Sequence, residues 1–581
     1  MNATKEQFAV RRVMVVAVFL LAATGLLYRA FDLHISSQEF LQKQGDARHL
    51  RTIKINAHRG NIYDRNGEPL AISTPVDTIW INPQQVKDNV ERLPELTAVL
   101  NVDLQTLQQR LIKNASREFM YVKRRVQPAL AEKIKALSIE GVYLQREYQR
   151  FYPTGEVSAH VLGFTNVDDK GQEGVELAFN DYLSGKPGAK KIIRDRLGRA
   201  IDDVERIRSA QPGQDLTISI DKGLQYLAYR SLKSAMKKHN AKSASAVVLD
   251  VKTGEVLAMV NQPSFNPNDR RDLKPSKTRN RAVTDLFEPG STIKPITMVA
   301  ALESGQWHAG DAINTSPGYM RVNNTAIKDI RNFGKLSLPA VIYKSSNVGI
   351  SKIALSLSKE HQWHVYRQFG LGQTTDSGFP GEIAGHFDFY KKVSDFERAA
   401  LSFGYGLSVT PLQLARAYAA IANGGVIKPV NFVKVDEEIA GERIASNKSI
   451  VALTKMMEKT VSSKGTAIQA GVLNYRVAGK TGTVHKSKAG GYEEDSYQSV
   501  FAGFAPVSNP RLAMVVMIDE PKAGEYYGGT VAAPVFSNVM MNAMRLLDIA
   551  PDNLNVSGDT TTHKSPAQAL GESDRQQGGK V

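Results

Sequence analysis

Phe287-Glu-Pro-Gly-Ser-Thr-Ile-Lys-Pro295 is the stretch from which this chain can be read outward. Proline and glycine break the backbone immediately before Ser291, and the residues that follow, Ile293, Ile296 and Met298 to Leu302, predict a buried helix starting at the serine. In that first turn Ser291 and Lys294 stand at i and i+3, which share a helix face, so the amine can reach the hydroxyl. A lysine among apolar neighbours loses its proton readily and can serve as base to a serine nucleophile. The free N–H groups of a helix N-terminus favour negative charge developing beside the serine. Pro295 fits such a start, because its missing N–H would have had no helical partner.

The S-x-x-K pattern decides nothing alone, since it recurs at Ser219, Ser234 and Ser356. Those serines read as a strand end, a charged helix and a helical stripe (Ile350, Ile353, Ala354, Leu357), and none has the glycine-led approach. Taken singly, Ser291 also reads as an N-cap serine with an incidental lysine. Two downstream signals weigh against that. Ser345-Ser-Asn347 lies between an apolar segment introduced by Ser337 and Pro339 and a helix beginning near Gly349. Either one of these residues caps that helix, or Ser345 relays a proton and Asn347 donates to a substrate amide. Lys480-Thr-Gly-Thr483 follows Arg476-Val-Ala-Gly479 and reads as a strand, with glycines where another backbone comes close. Alternation places Thr481 and Thr483 on one face, where their hydroxyls suit a carboxylate, and Lys480 on the other, directed toward Ser345. The Thr483 N–H would complete an oxyanion hole with the Ser291 N–H. A phosphate loop at Lys480 fails because the upstream glycine it requires is Asn474, and Lys252-Thr-Gly254 sits at a hairpin turn with no catalytic role. The sequence contains no G-x-S-x-G, no H-E-x-x-H, no cysteine and no ligand-like histidine pair. A lysine-based serine acyl-transferase needing no metal and no cofactor remains.

At 581 residues the chain exceeds one ordinary domain, which predicts two folded units plus tails. Its formal charge of +16 is dispersed among acidic residues and carries no finger, RNP or long basic-helix signature, so nucleic acid is not the expected partner. Val13 to Tyr28 is uncharged and flanked by Lys5, Arg11 and Arg12 on one side and Arg29 and Asp32 on the other. It predicts a transmembrane helix over 13–33 with Arg29 snorkelling to the interface, residues 1–12 in the cytoplasm and the rest exported. A cleaved signal peptide, with small residues at Ala23 and Gly25, and a buried core helix are the competing readings. Residues 34–215 predict an α+β pedestal. Asp64-Arg-Asn-Gly67 turns between Asn61–Tyr63 and Pro69–Ile72, helices run over Val90–Leu111 and Pro128–Leu137, and Arg150–Phe164 and Gly171–Glu176 supply turns and structural ion pairs. From Ala246, AVVLDVKTGEVLAMV opens a second, catalytic unit over 216–548. The polar stretch 549–581 is expected to be disordered.

Together the three motifs resemble, in order and separation, those of the penicillin-binding proteins. The flanks FEPGSTIKP, KSSNVGISKIA, FGYGLSVTPLQLARAYAAIANGG and AGKTGT, with RGNIYDRNG, RFYPTGEVSAHVLGF and Tyr526-Tyr-Gly-Gly529, extend the likeness from the anchor to about residue 547. They look like the class B, division-specific peptidoglycan D,D-transpeptidases. The resemblance implies an α+β architecture: a membrane anchor, an elongated pedestal or dimerisation-like domain, and a transpeptidase domain. The last would have a mixed antiparallel sheet flanked by helices plus a helical subdomain. It implies that Ser291 attacks the penultimate D-alanine of a stem pentapeptide, with Lys294 as base and Ser345 and Lys480 as proton relay. Asn347 would clamp the amide, and Thr481, Gly482 and Thr483 would bind the terminal carboxylate. It further implies covalent inhibition by β-lactams, a single-pass inner-membrane protein with its catalytic domain in the periplasm at the division site, and a septal glycan polymerase and other division proteins as partners. Rival readings are the elongation-specific relative, a β-lactam sensor, a β-lactamase and a catalytically silent scaffold.

Overall fold

The computed structural model describes residues 2–41, 50–194, 200–488 and 491–554. Its centre is a five-stranded sheet in the order Val256–Gln262, Ser243–Asp250, Leu512–Asp519, Gly491–Ala505, Ala478–Lys488, with every neighbouring pair antiparallel. Both faces are covered. Along Leu512–Asp519, Ala513, Val515 and Met517 enter one hydrophobic core while Leu512, Met514, Val516 and Ile518 enter the other. The period of two thus divides one strand between two helical layers, which is why it reads as a continuous apolar run. Lys222–Lys238 and Ala533–Leu546 pack on the second face. Lys294–Glu303, Pro411–Ala422 and the helices between them build the first.

The expected Lys-Thr-Gly hairpin joins the first two strands. Gly254 has φ +76°, and Thr253 Oγ1 donates to Glu255 Oε2 at 2.9 Å, so this second KTG is a turn device. The Asp64–Gly67 turn also forms as read, with the Asp64 carboxylate accepting from the N–H groups of Asn66 and Glu68 at 2.8 Å. The strand that follows is longer than expected, running Pro69–Ile81 and pairing with Val142–Phe151 and Met120–Val126.

One helix is corrected. The span Val90–Leu111 is not continuous but divides into Val86–Arg92, Leu93–Leu100 and Leu104–Lys113. Asn101 takes the left-handed conformation (φ 48°) that ends the middle piece, and the Asp103 side chain accepts from Thr106 N at 2.7 Å to cap the next. Asparagine followed by aspartate is a stop and a start inside an unbroken apolar period.

At the N-terminus the helix begins at Asn2, so the basic flank is helical. Ala9–Ser36, with mean hydropathy 2.1, is long and apolar enough to cross a membrane, and none of its most apolar window is buried in protein. A buried core helix is therefore not what this segment forms. Arg29 donates to Asp32 at 2.7 Å. Most of the expected disordered stretch, 555–581, lies outside the described residues.

The pedestal is organised by one fully buried carboxylate. Glu176 accepts from Arg59 Nε at 2.8 Å and from Arg150 Nε at 2.6 Å, while Arg150 also reaches Gly60 O at 2.7 Å. The arginines come from the AHRG and RFYPTG stretches and the glutamate from GQEGVE, so three separated segments meet at one charge. Removing that charge leaves two buried guanidinium groups without their directly bonded carboxylate, with only Asp169 acting on both through space. Glu176→Gln should lower unfolding stability by about 3–5 kcal/mol, read as a fall in denaturation midpoint in the solubilised protein, and an unchanged midpoint would exclude this as the organising contact.

Candidate active site

Ser291 stands where the chain bends into the first-face core. Phe287 pairs with Val409 through two backbone hydrogen bonds of 3.0 Å, Gly290 follows with φ +52°, and Gly290–Ile293 forms a 3-10 turn leading into the α-helix Lys294–Glu303. The sequence predicted an α-helix from the serine itself. The tighter turn arises because Pro295 occupies the first α-helical turn and leaves the residues before it to close on their own carbonyls. Glycine is required at 290 on two counts. Its φ is unfavourable for other residues, and a Cβ there would lie 2.3 Å from Val484 Cγ2.

Ser345 is positioned by a different device. The helix Leu338–Tyr343 ends in a Schellman motif, with Ser345 N donating to Ile342 O at 3.1 Å and Ser346 N to Val341 O at 3.0 Å. The left-handed position of this motif usually holds glycine, yet here it is Ser345, at φ 59°. A serine in that conformation costs about 1–3 kcal/mol. The next residue, Ser346, already caps the following helix Asn347–Ser356 through Gly349 N at 2.9 Å. Capping and chemistry, alternatives in the sequence, are thus divided between neighbours: Ser346 takes the cap, leaving the Ser345 and Asn347 side chains free to face Ser291 and Lys294.

Lys480, Gly482 and Val484 alternate on the face of the edge strand Ala478–Lys488 that meets the Ser291 turn. A Cβ on Gly482 would lie 3.0 Å from Pro289 O, so the missing side chain lets the turn approach. Thr481 and Thr483 occupy the other face, as alternation predicted. Thr481 Oγ1 hydrogen-bonds Thr466 Oγ1 at 2.9 Å, and Thr483 Oγ1 accepts from Gly528 N at 3.0 Å. Thr466 carries no motif, and only the fold brings it to the strand.

These three segments converge on one hydroxyl. Ser345 Oγ donates to Ser291 Oγ at 3.0 Å and accepts from Lys480 Nζ at 2.9 Å and from Lys294 Nζ at 3.1 Å. Lys294 Nζ also donates to Ser345 O and Asn347 Oδ1, each at 2.7 Å. One expectation is revised: among the described residues no hydrogen bond joins Lys294 to Ser291. The lysine helix begins three residues after the serine with a tight turn between, so the amine is drawn to the Ser345 carbonyl and meets Ser291 through the Ser345 hydroxyl. Both lysines are completely buried. Burial, reinforced by the Lys480 charge, holds Lys294 well below the ordinary lysine range, and burial pushes Lys480 down to about 7.

The competing serines lie elsewhere and are otherwise engaged. Ser219 donates to Val256 O at 2.8 Å, Ser356 donates to Ile353 O at 2.7 Å, and Ser234 lines a groove between Lys222–Lys238 and Ala533–Leu546. At the rim of the site Glu288 accepts from Gly406 N at 2.8 Å and from Tyr492 OH at 3.3 Å, and burial raises its carboxyl above the usual range. Tyr497 stacks on Tyr526 at 4.1 Å, and Tyr526 meets Tyr527 in a tilted arrangement at 4.6 Å.

Comparison with known proteins gives this geometry a context. Residues 244–541 match the penicillin binding protein transpeptidase domain, and residues 54–218 match the penicillin-binding protein dimerisation domain. The chain is 44% identical over 545 residues to the peptidoglycan D,D-transpeptidase FtsI of Escherichia coli K12, covering 93% of this chain and 92% of that protein. It is 38% identical to the probable peptidoglycan D,D-transpeptidase PenA of Neisseria meningitidis serogroup A, covering 91% of each. Among solved structures, a peptidoglycan synthetase from Bifidobacterium adolescentis superposes with a TM-score of 0.70 at 26% identity, covering 88% of this chain and 98% of that one. The transpeptidase domain of penicillin-binding protein 3 from Burkholderia pseudomallei gives 0.54 at 41% identity, covering 58% and 97%. With both domains matched and 44% identity over 93% of the chain to a peptidoglycan D,D-transpeptidase, the chain belongs to the class B penicillin-binding proteins, the peptidoglycan D,D-transpeptidases.

Proposed function

We propose that this chain cross-links septal peptidoglycan through an acyl-enzyme on Ser291, and that the residues converging on Ser345 carry the proton traffic. The observation that carries this reading is the Ser345 hydroxyl, bonded at once to the nucleophile and to both buried lysines. Lys294 is the base. A neutral amine has two hydrogens, and its two 2.7 Å acceptors, Ser345 O and Asn347 Oδ1, use both. Its lone pair then points to the third partner, Ser345; with the two hydroxyls rotated so that Ser291 donates to Ser345 and Ser345 to Lys294, the amine takes the Ser345 proton as Ser345 takes that of Ser291. Burial lowers the lysine pKa and so enlarges the neutral fraction at physiological pH.

Ser291 Oγ bonds to the penultimate D-alanine carbonyl carbon of the donor stem, and the resulting oxyanion faces the Ser291 and Thr483 N–H groups. The C–N bond to the terminal D-alanine breaks, and the departing amine takes a proton returned through Ser345, with Lys480 as the second reservoir. Thr481, Gly482 and Thr483 hold the terminal carboxylate, and Asn347 holds the stem amide. An amine of a neighbouring stem then attacks the ester, forming the cross-link and restoring the Ser291 hydroxyl. A β-lactam enters by the same first step but keeps its leaving amine tethered, so the acyl-enzyme persists.

The helix Ala9–Ser36 fits a single-pass anchor in the inner membrane, and the Lys5, Arg11, Arg12 flank supports a cytoplasmic N-terminus with the catalytic domain in the periplasm. The domain units proposed are the anchor at 13–33, the pedestal at 34–215 and the transpeptidase domain at 216–548. The septal role, with a glycan polymerase and other division proteins as partners, rests on the similarity to FtsI and on the Tyr526-Tyr-Gly-Gly529 stretch.

Labelling with a fluorescent penicillin should give one covalent adduct, lost in Ser291→Ala and retained in Ser234→Ala and Ser356→Ala. An adduct that survives Ser291→Ala would sink the assignment. Gly290→Ala, which forces a Cβ against Val484, should slow acylation about 100-fold through displacement of Ser291, and a wild-type rate would show that the turn tolerates the methyl. Depletion in the host should produce filaments, whereas rounded cells would transfer the protein to elongation.

A further inference from the structure

Asp329 lies outside the three motifs, just past the strand Thr325–Lys328, whose hairpin partner is Tyr319–Val322. Its half-buried carboxylate accepts three hydrogen bonds from consecutive residues: Ser346 Oγ at 2.6 Å, Asn347 N at 2.5 Å and Val348 N at 3.0 Å. The same hairpin also accepts from the Asn347 side chain, whose Nδ2 donates to Lys328 O at 3.2 Å. We infer that Asp329 is a positioning residue of the acyl-transfer site: its carboxylate fixes the Ser345-Ser-Asn347 segment and thereby holds Ser345 and Asn347 against Lys294.

A capping role alone does not account for these contacts. Ser346 already supplies the side-chain acceptor that the helix Asn347–Ser356 needs, through Gly349 N. Asp329 adds acceptors for the two N–H groups before it and holds the capping hydroxyl itself, so every donor of this turn is pinned. That over-determination is what a strained residue requires, and Ser345, with φ 59°, is the next residue upstream. Below it, the Asn347 amide is oriented at both ends: Nδ2 faces the hairpin carbonyl and Oδ1 faces Lys294 Nζ. A carboxylate is also well placed electrostatically at a helix N-terminus.

The carboxylate has a second effect through space. The charged groups acting on Lys294 are Lys480, from the strand Ala478–Lys488, which depresses it, and Asp329, from the hairpin, which opposes that depression. Asp329 therefore sets both the geometry of the base and the pH at which it is free. The sign is definite. Removing the negative charge lowers the Lys294 pKa further, so the neutral, active form appears at lower pH and the acid limb of the acylation profile moves down.

This inference rests on Ser291 and Lys294 acting as proposed, and the experiment separates the two. In the detergent-solubilised full chain, second-order acylation by fluorescent penicillin is measured across pH for wild type, Asp329→Ala, Asp329→Asn and Ser291→Ala. Asp329→Ala should slow acylation about tenfold or more. Asp329→Asn, which keeps an oxygen facing the Asn347 and Val348 amides, should recover most of that loss while its acid limb moves to lower pH. An acid limb in Asp329→Asn that coincides with wild type overturns the inference, as does wild-type acylation by Asp329→Ala. If Asp329→Ala fails to fold, the Asp329→Asn limb alone decides. An adduct persisting in Ser291→Ala would instead overturn the catalytic assignment itself.

Discussion

Two lysine ammonium groups buried side by side are among the least favourable things a folded chain can hold, and this one directs both at a single serine hydroxyl. Neither Lys294 nor Lys480 has a carboxylate hydrogen-bond partner among the described residues; their acceptors are Ser345, Asn347 and the Thr481 carbonyl. Desolvation of an ammonium costs several kcal/mol even after relaxation, and a buried amine answers by giving up its proton. A carboxylate bonded directly to either amine would stabilise its charge and destroy its basicity. The arrangement works because the nearest negative charge, Asp329, is kept one residue away, behind the Asn347 amide.

That requirement reaches outward into the fold. Lysines can be held in this state only by a wall that excludes water and does not yield. The sheet provides it, since both faces are covered and the edge strand carrying Lys480 is pressed against the Ser291 turn at Gly482 and Gly290. The two glycines are complementary. Gly482 leaves room for the Pro289 carbonyl, and Gly290 leaves room for the Val484 side chain, so turn and strand interlock through two absent side chains. Strain at Ser345 is opposed by a helix end on one side and a helix start on the other, with one residue between them.

Legibility in the sequence follows the range of the interactions. Ser291 could be chosen from four S-x-x-K serines because its distinguishing features, a glycine before it and an apolar run after it, are local. The Asp64–Gly67 and Lys252–Gly254 turns, the alternation of Thr481, Gly482 and Thr483, and the ion-pair character of Glu176 were legible for the same reason. The link from Lys294 to Ser291 through Ser345 was not, because i+3 spacing gives the face of a helix and not the competing acceptor arriving from a segment 51 residues away. Val90–Leu111 reads as one helix because apolar periodicity outweighs two short polar signals, Asn101 and Asp103. Asp329 carries no local signal, because its partners lie in another segment and its own neighbourhood, an exposed hairpin, resembles any surface loop.

The pedestal and the catalytic domain are joined through backbone pairing, side-chain hydrogen bonds and a shared core. The strand Leu216–Thr217 pairs in parallel with Ile62–Tyr63. The Asp64 turn then grips the start of the helix Lys222–Lys238: Asp64 Oδ2 accepts from Lys222 N at 3.1 Å, and Asn66 Nδ2 donates to Asp221 at 2.9 Å. Asp221 caps that helix through Leu224 N, and Arg65 reaches the buried Glu255 beside the first hairpin of the catalytic sheet. Farther along, Asn268 exchanges two hydrogen bonds with the Tyr152 backbone, and Gln225 bonds Val157 O and Met259 O at once. These directional polar contacts come from several pedestal segments and surround a shared apolar core, in which Ile62, Leu70, Val161 and Val175 of the pedestal join Val247, Leu249 and Met259 of the catalytic sheet. A displacement of the pedestal must therefore break hydrogen bonds or turn the helix that lies under the catalytic sheet, so the turn at Asp64 is a mechanical joint between the two domains as well as a local reversal of the chain.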